Sequence, residues 1–143
     1  MAKLTIMIGI PGSGKSTIAS TFGEVVSTDA IRGELFGDEG DQRNGNRVWR
    51  EAYARIHALL AEGKDAVLDA TNVSAKRRKE EIAEFAEASE VMAVWLDTPV
   101  DVAIKRNASR ERKVPYSVIH RMNNQLEVPN LDEGFSTIIK LTP

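Results

Sequence analysis

The chain has 143 residues, 19 Lys and Arg against 21 Asp and Glu for a net charge of −2, and no cysteine. That length lets one domain remove roughly 68% of its extended-chain surface from water without a covalent staple. The missing thiols exclude a disulfide framework, a thiolate metal site and a cysteine nucleophile. The opening MAKLTIMIGI is apolar for only a few residues before Gly-Pro-Gly, so it reads as neither signal peptide nor membrane span. A cytoplasmic protein with a single domain over 1–143 is expected.

In chain order, the apolar run 4–8 reads as a buried parallel strand. A helix over 15–22 follows, with Ile18, Ala19 and Phe22 on one face. Residues 24–27 form a second short strand and 30–36 a short helix; the polar stretch from Gly37 to Asn46 has no period and reads as a loop. Val48, Ala52, Ile56, Leu59 and Leu60 mark a helix over 47–61, stopped by Gly63. Residues 66–69 are a third strand, and Ser74 caps a helix to about Ala88 with Ile82, Phe85 and Ala86 inward. After a strand over 91–96, Thr98 reads as an N-cap with Pro99 at the first helical position. Val100, Ala103 and Ile104 give that helix its buried face. Pro115 opens a last helix carrying Val118, Met122 and Leu126, and FSTIIKL closes the chain as a fifth strand. The alternation predicts an α/β fold, a mostly parallel sheet of four to five strands with helices on both faces.

Gly9, Gly14, Lys15 and Ser16 match G-x-x-x-x-G-K-[ST], a pattern that chance supplies about once in 200 chains of this length. It sits between a strand and a helix, as a phosphate loop must. The backbone amides of Gly12, Ser13, Gly14, Lys15, Ser16 and Thr17 are expected to face phosphate oxygens. Lys15 would bridge the β- and γ-phosphates of ATP, and the Ser16 hydroxyl would ligate Mg²⁺. No Asn-Lys-x-Asp base-reading loop is present, which argues against a GTPase. A small kinase is the expectation; a non-enzymatic nucleotide switch is the alternative.

Function in a doubly wound sheet lies beyond the carboxyl ends of its strands. Asp29 lands there, where it could take the proton of an attacking hydroxyl or simply cap the helix 30–36. Arg32, one turn on, could steady a substrate phosphate. Asp69 could hold Mg²⁺ through water, or accept hydrogen bonds from Thr71 and Asn72. Arg78 shares a helical face with Ile82 and Phe85, which suits a charge only if it reaches toward the site. The basic residues gather in two runs, Lys76 to Lys79 and Lys105 to Lys113. In the second, Arg106 and Arg110 lie four apart, and a segment around 106–115 reads as an arginine-bearing lid that neutralises charge and excludes water.

The chain resembles the P-loop kinase domain of the phage and bacterial polynucleotide 5′-kinases from about Lys3 to Leu126. The likeness rests on GIPGSGKST, STDAIR with its D-x-x-R spacing, LDATNVSAKRR, and DTPVDVAIKRNASRERKVPYSVIHRM. It implies γ-phosphate transfer from ATP, with Mg²⁺, to the 5′-hydroxyl of RNA or DNA. Asp29 would be the general base, Arg32 would contact the 3′-side phosphate and the reacting centre, and Arg106 and Arg110 would be the lid arginines over the donor. Thr71, Asn72 and Arg78 join the acceptor-side set. One departure is Ala70, which stands where the phage enzyme has its acidic residue, one position after Asp69. Another is that no phosphatase domain follows, so 3′-end healing would fall to a separate phosphatase, with a ligase as a further partner. Related small P-loop kinases acting on nucleosides or sugar nucleotides share the loop, the aspartate and the lid. A basic, open groove would favour nucleic acid, and a closed pocket a metabolite.

Overall fold

The apolar run Leu4–Ile8 is buried along its whole length and forms β1, the middle strand of a five-stranded parallel sheet. The computed structural model describes residues 2–37, 45–109 and 114–142. β3 (Ala66–Asp69) and β4 (Val91–Leu96) flank β1, with Leu4 opposite Ala66 on one side and Val91 on the other. β2 (Glu24–Ser27) and β5 (Thr137–Leu141) are the edges, giving the order β2-β3-β1-β4-β5.

Side chains alternate across the sheet and recruit different helices to its two faces. Met7, Val67 and Val94 pack with Ile18, Ala19 and Phe22 around α1 (Lys15–Ala19). Leu4, Ile6, Ile8 and Leu68 share the larger core with residues of α2 (Thr28–Phe36), α3 (Gly45–Ala61) and α4 (Ala75–Glu84). A third, smaller cluster joins Ile10 to α5 (Val100–Ala108) and α6 (Tyr116–Gln125) through Ala103 and Ile119. The connection from β1 runs toward β2 and that from β3 runs toward β4. Such divergence opens a crevice beyond their carboxyl ends. No helix among the described residues is long and apolar enough to cross a membrane.

Several local expectations are corrected. α1 ends at Ala19 rather than 22, and Thr21 and Phe22 follow in turns bonded to the Ile18 and Ala19 carbonyls. Gly23, at φ +151°, must then seat against the Asp65 carbonyl, where a Cβ would lie 2.6 Å from the oxygen. α2 begins at Thr28, because Ser27 is the cap and accepts from the Ala30 N–H at 3.2 Å. Thr98 caps nothing; Pro99 holds the N-cap position of α5, and the Thr98 hydroxyl is used elsewhere. α4 ends at Glu84 instead of 88, with buried Phe85 as its C-cap. Gly45 and Asn46 are already helical, while the rest of that expected loop, 38–44, lies outside the described residues.

Arg78 does not reach the crevice. It is fully buried, and its Nε and Nη2 donate to the two carboxylate oxygens of Glu133 at 2.7 and 2.9 Å, while Nη1 donates to the Asn72 carbonyl at 2.9 Å. Glu133 closes a 3₁₀ turn, Leu131–Glu133, through a capping box with Asn130 that the sequence reading missed. Breaking such a buried pair from one side costs about 3–5 kcal/mol, since the remaining charge stays uncompensated.

Next to Arg78, Glu81 is also fully buried; neither carboxyl oxygen has a well-aligned partner among the described residues, although the Tyr53 hydroxyl lies near enough to pull on the group. Burial pushes its pKa up to about 8, against the pull of Arg77 and Arg78. The folded protein therefore holds a proton there that the unfolded chain releases above its ordinary value of 4.5. Stability from this group is complete below pH 4.5 and is lost as pH rises through about 8. Glu81→Gln should flatten that fall and leave the variant more stable than the parent at pH 9. Urea midpoints from pH 4.5 to 9 measure it; parallel pH profiles for parent and variant would contradict the assignment.

Candidate active site

The chain leaves β1 through a loop that only glycine can shape at two points, Gly12 at φ +83° and Gly14 at φ +97°. A Cβ on Gly12 would stand 2.3 Å from the Ala103 carbonyl oxygen, so the bare residue lets the loop seat directly on α5. The Ser13 carbonyl accepts from Thr98 Oγ1 and from Arg106 Nη1, each at 3.0 Å. From the other side, the Gly9 N–H donates to the Thr71 carbonyl at 3.0 Å and Asn72 Nδ2 to the Met7 carbonyl at 2.9 Å. Asn72 takes a left-handed φ of 46°, which Asn tolerates better than most residues. These contacts fix the loop against the ends of both neighbouring strands.

That placement brings the Ser16 hydroxyl to Asp69, where it donates to Oδ2 at 2.9 Å. Asp69 is buried, and among the described residues its hydrogen bond comes from Ser16 rather than from the Thr71–Asn72 turn. A hydroxyl and a carboxylate are hard oxygen donors and fit Mg²⁺, which keeps waters and substrate oxygens for its remaining positions. Among the described residues no group of three or more His, Cys, Asp or Glu could by itself hold a metal ion. The cradle is narrower than expected from 12–17, because the Ser13 and Thr17 amides are spent on the Ile10 and Gly14 carbonyls.

Across the crevice, Ser27 pairs with Asp69 in the sheet register and starts α2. Asp29 therefore sits in the first turn, and its Oδ1 accepts from Arg32 Nη1 at 2.9 Å. With the cap position filled by Ser27, Asp29 is not the cap. Arg32 is mostly buried, and its Nε has no partner among the described residues.

Both walls line one cavity of about 720 Å³. Of the expected site residues, Gly12, Gly14, Lys15, Ser16 and Thr17 border it from the loop, Asp29, Arg32, Asp69 and Thr71 from the strand ends, and Arg106 from α5. Ser13, Asn72 and Arg78 do not: Ser13 and Asn72 brace the loop, and Arg78 is in its clamp with Glu133. Ser13 instead borders a shallower cavity of about 430 Å³ with Ile18, Leu96 and Leu141, and Arg106 stands in the wall common to both. Arg110 lies outside the described residues, as do 111–113 of the expected lid.

Three contributors escaped the sequence reading. Trp49 borders the main cavity from α3, and Arg121 borders it from α6 beside Met122. Both were hidden in amphipathic helices, although a tryptophan beside an apolar stripe was a usable signal. Asn107, buried at the end of α5, donates its Nδ2 to the Val114 carbonyl at 2.6 Å and accepts from the Val114 N–H at 2.9 Å. It clips together the two ends of the lid segment.

Comparison with known proteins agrees with this geometry. A family model described as an AAA domain matches residues 4–129. L-seryl-tRNA(Sec) kinase of Methanococcus maripaludis is 27% identical over 137 residues, covering 88% of this chain and 53% of that protein. Cytidylate kinase of Halobacterium salinarum is 33% identical over 122 residues, 78% of this chain and 60% of that one. A chain in the structure of the Pnkp1/Rnl/Hen1 RNA repair complex superposes with a TM-score of 0.77 at 29% identity, over 87% of this chain and 44% of that chain. The chain thus spans only about half the length of these relatives.

Lys15→Ala should weaken nucleoside triphosphate binding about 10- to 100-fold, the worth of one or two hydrogen bonds to a charged group. Titration with a fluorescent ATP analogue beside a thermal melt checks this. Parent-like binding by the folded variant would remove the loop from the site.

Proposed function

The chain belongs to the AAA domain family, and from that premise we propose that it is a P-loop kinase that moves the γ-phosphate of ATP to the 5′-hydroxyl of an RNA or DNA strand. The observation that carries the reading is the shared cavity. The phosphate loop with Ser16 and Asp69 forms one wall, and the Asp29–Arg32 pair forms the facing one. A donor cradle opposite a carboxylate fits transfer to an alcohol better than hydrolysis.

In this reading Lys15 and Arg106 hold the donor phosphates, and Ser16 and Asp69 provide the oxygens for Mg²⁺. The metal, when bound, neutralises charge on the phosphate oxygens. The acceptor hydroxyl oxygen attacks the γ-phosphorus in line, its proton passes to a carboxylate oxygen of Asp29, and ADP departs as the bridging bond breaks. Arg32 holds Asp29 in place through its Nη1. Arg110, in the role the family resemblance implies, would add a second guanidinium to share the transferred charge.

Two relatives favour nucleic acid as the acceptor: one is named for a charged tRNA and the other belongs to an RNA repair complex. The second would also be consistent with a separate phosphatase or ligase acting on the same ends. The similarity to cytidylate kinase favours a second reading, transfer to a nucleoside monophosphate. Both use the same cavity and differ only in the acceptor.

Asp29→Asn separates a base from a structural carboxylate. Since Ser27 caps the helix, Tm should stay close to that of the parent, while transfer to a 5′-hydroxyl oligonucleotide should fall about 10²- to 10⁴-fold. Rapid-quench kinetics under single-turnover conditions measures the chemical step. A full rate in the variant would leave the proton without Asp29 and overturn the mechanism.

A further inference from the structure

Trp49 has no part in the transfer just described, yet it borders the same cavity as Asp29 and Arg32. Its indole is half-buried at the first turns of α3 and is held in orientation by two contacts. The Arg77 guanidinium stands 4.2 Å from the ring centroid, and the Tyr53 ring meets it edge-on at 5.9 Å and 71°. Tyr53 in turn packs edge-on against fully buried Phe85 at 5.2 Å, so the aromatic stack reaches into the core. A ring fixed this way loses little freedom on binding a second planar group.

Other residues bordering the cavity have matching chemistry. Val118 and Met122 of α6 give apolar surface, and Arg121 between them makes no hydrogen bond or ion pair among the described residues. Among the described residues, the carboxylates bordering the cavity are Asp29 and Asp69, both already engaged by partners. A polyol or sugar acceptor needs acceptors and amides around its hydroxyls. An aromatic plane, an apolar wall and an unpaired guanidinium instead suit a base linked to a phosphate.

We propose that Trp49 is the contact platform for a nucleobase of the acceptor strand, with Arg77 fixing the ring and Arg121 supplying positive charge to the same cavity. The inference rests on the 5′-kinase reading and adds a specificity-determining residue to it. Contact of a base with an aromatic side chain is worth about 1–3 kcal/mol by alanine substitution, or roughly 5- to 150-fold in affinity.

The test compares a 5′-hydroxyl oligonucleotide with the same strand made abasic at its first two positions, using parent, Trp49→Ala and Trp49→Phe. Trp49→Ala should raise KM for the normal strand by about tenfold or more, with kcat nearly unchanged, and Trp49→Phe should recover most of the loss. Parent and Trp49→Ala should then have similar KM on the abasic strand. A parallel titration of Trp49 fluorescence in a Trp95→Phe background should show quenching by the normal strand and little by the abasic one. Equal KM increases on both strands would mean that Trp49 only shapes the wall, and no increase would mean that it does not meet the acceptor; either overturns the platform while leaving the kinase reading intact. Absence of parent transfer to any oligonucleotide overturns both.

Discussion

The Ser13 carbonyl accepts hydrogen bonds from both Thr98 and Arg106, and the geometry of the cavity hangs on that attachment. A phosphate loop works only if its amides and its lysine are fixed before the ligand arrives, since reorganisation on binding subtracts from affinity and from rate. Here the loop is held on one flank by the start of α5, where Gly12 lies against the Ala103 carbonyl. On the other flank Thr71 and Asn72 bond to the end of β1. Arg106 is placed by the same carbonyl it helps to hold, so a cation stands over the loop without being tied to a carboxylate among the described residues.

The second flank is reinforced from a distance. Glu133 binds Arg78, Arg78 binds the Asn72 carbonyl, and Asn72 binds the Met7 carbonyl in β1. This buried relay links the turn before β5 to the strand that launches the phosphate loop. Its interior partners are largely satisfied, which is what makes a buried ion pair tolerable. Glu81, one helical turn from Arg77, is the costly member of that neighbourhood, and it avoids an unpaired charge by keeping its proton. On the outer surface of α4, His57 of α3 lies between Glu84 and Glu87. Although burial opposes the charged ring, those two carboxylates raise its pKa, so this bridge between α3 and the end of α4 needs a charged ring with ionised carboxylates, weakening as pH rises through the ring's raised value and as it falls through the carboxylate range.

Much of this was legible in the sequence. The five strands are found where apolar runs end in glycine or polar residues, and β1, β3 and β4, buried along nearly their whole length, admit few alternatives. The loop residues Gly12, Gly14, Lys15 and Ser16 and the D-x-x-R spacing of Asp29 and Arg32 follow from short local motifs. What the sequence could not supply was the third dimension of polar side chains. Thr98 has every mark of an N-cap, yet a carbonyl 85 residues away takes its hydroxyl. Arg78 lies on an apolar helical face, a pattern equally consistent with reaching a ligand and with meeting Glu133, 55 residues on. Trp49 and Arg121 sit at cavity-facing positions that helical periodicity does not separate from ordinary core and surface.

The central claim is that the acceptor across from the phosphate loop is the 5′-end of a nucleic acid. One measurement addresses it directly: γ-labelled ATP with Mg²⁺, offered in parallel to a 5′-hydroxyl oligonucleotide, a nucleoside monophosphate panel and a set of sugars, with the products separated and counted. The account predicts label on the oligonucleotide, located at its 5′ end by nuclease digestion, at a rate well above that for any small acceptor. Label appearing in a nucleoside diphosphate or a sugar phosphate, with the oligonucleotide left unlabelled, would contradict it.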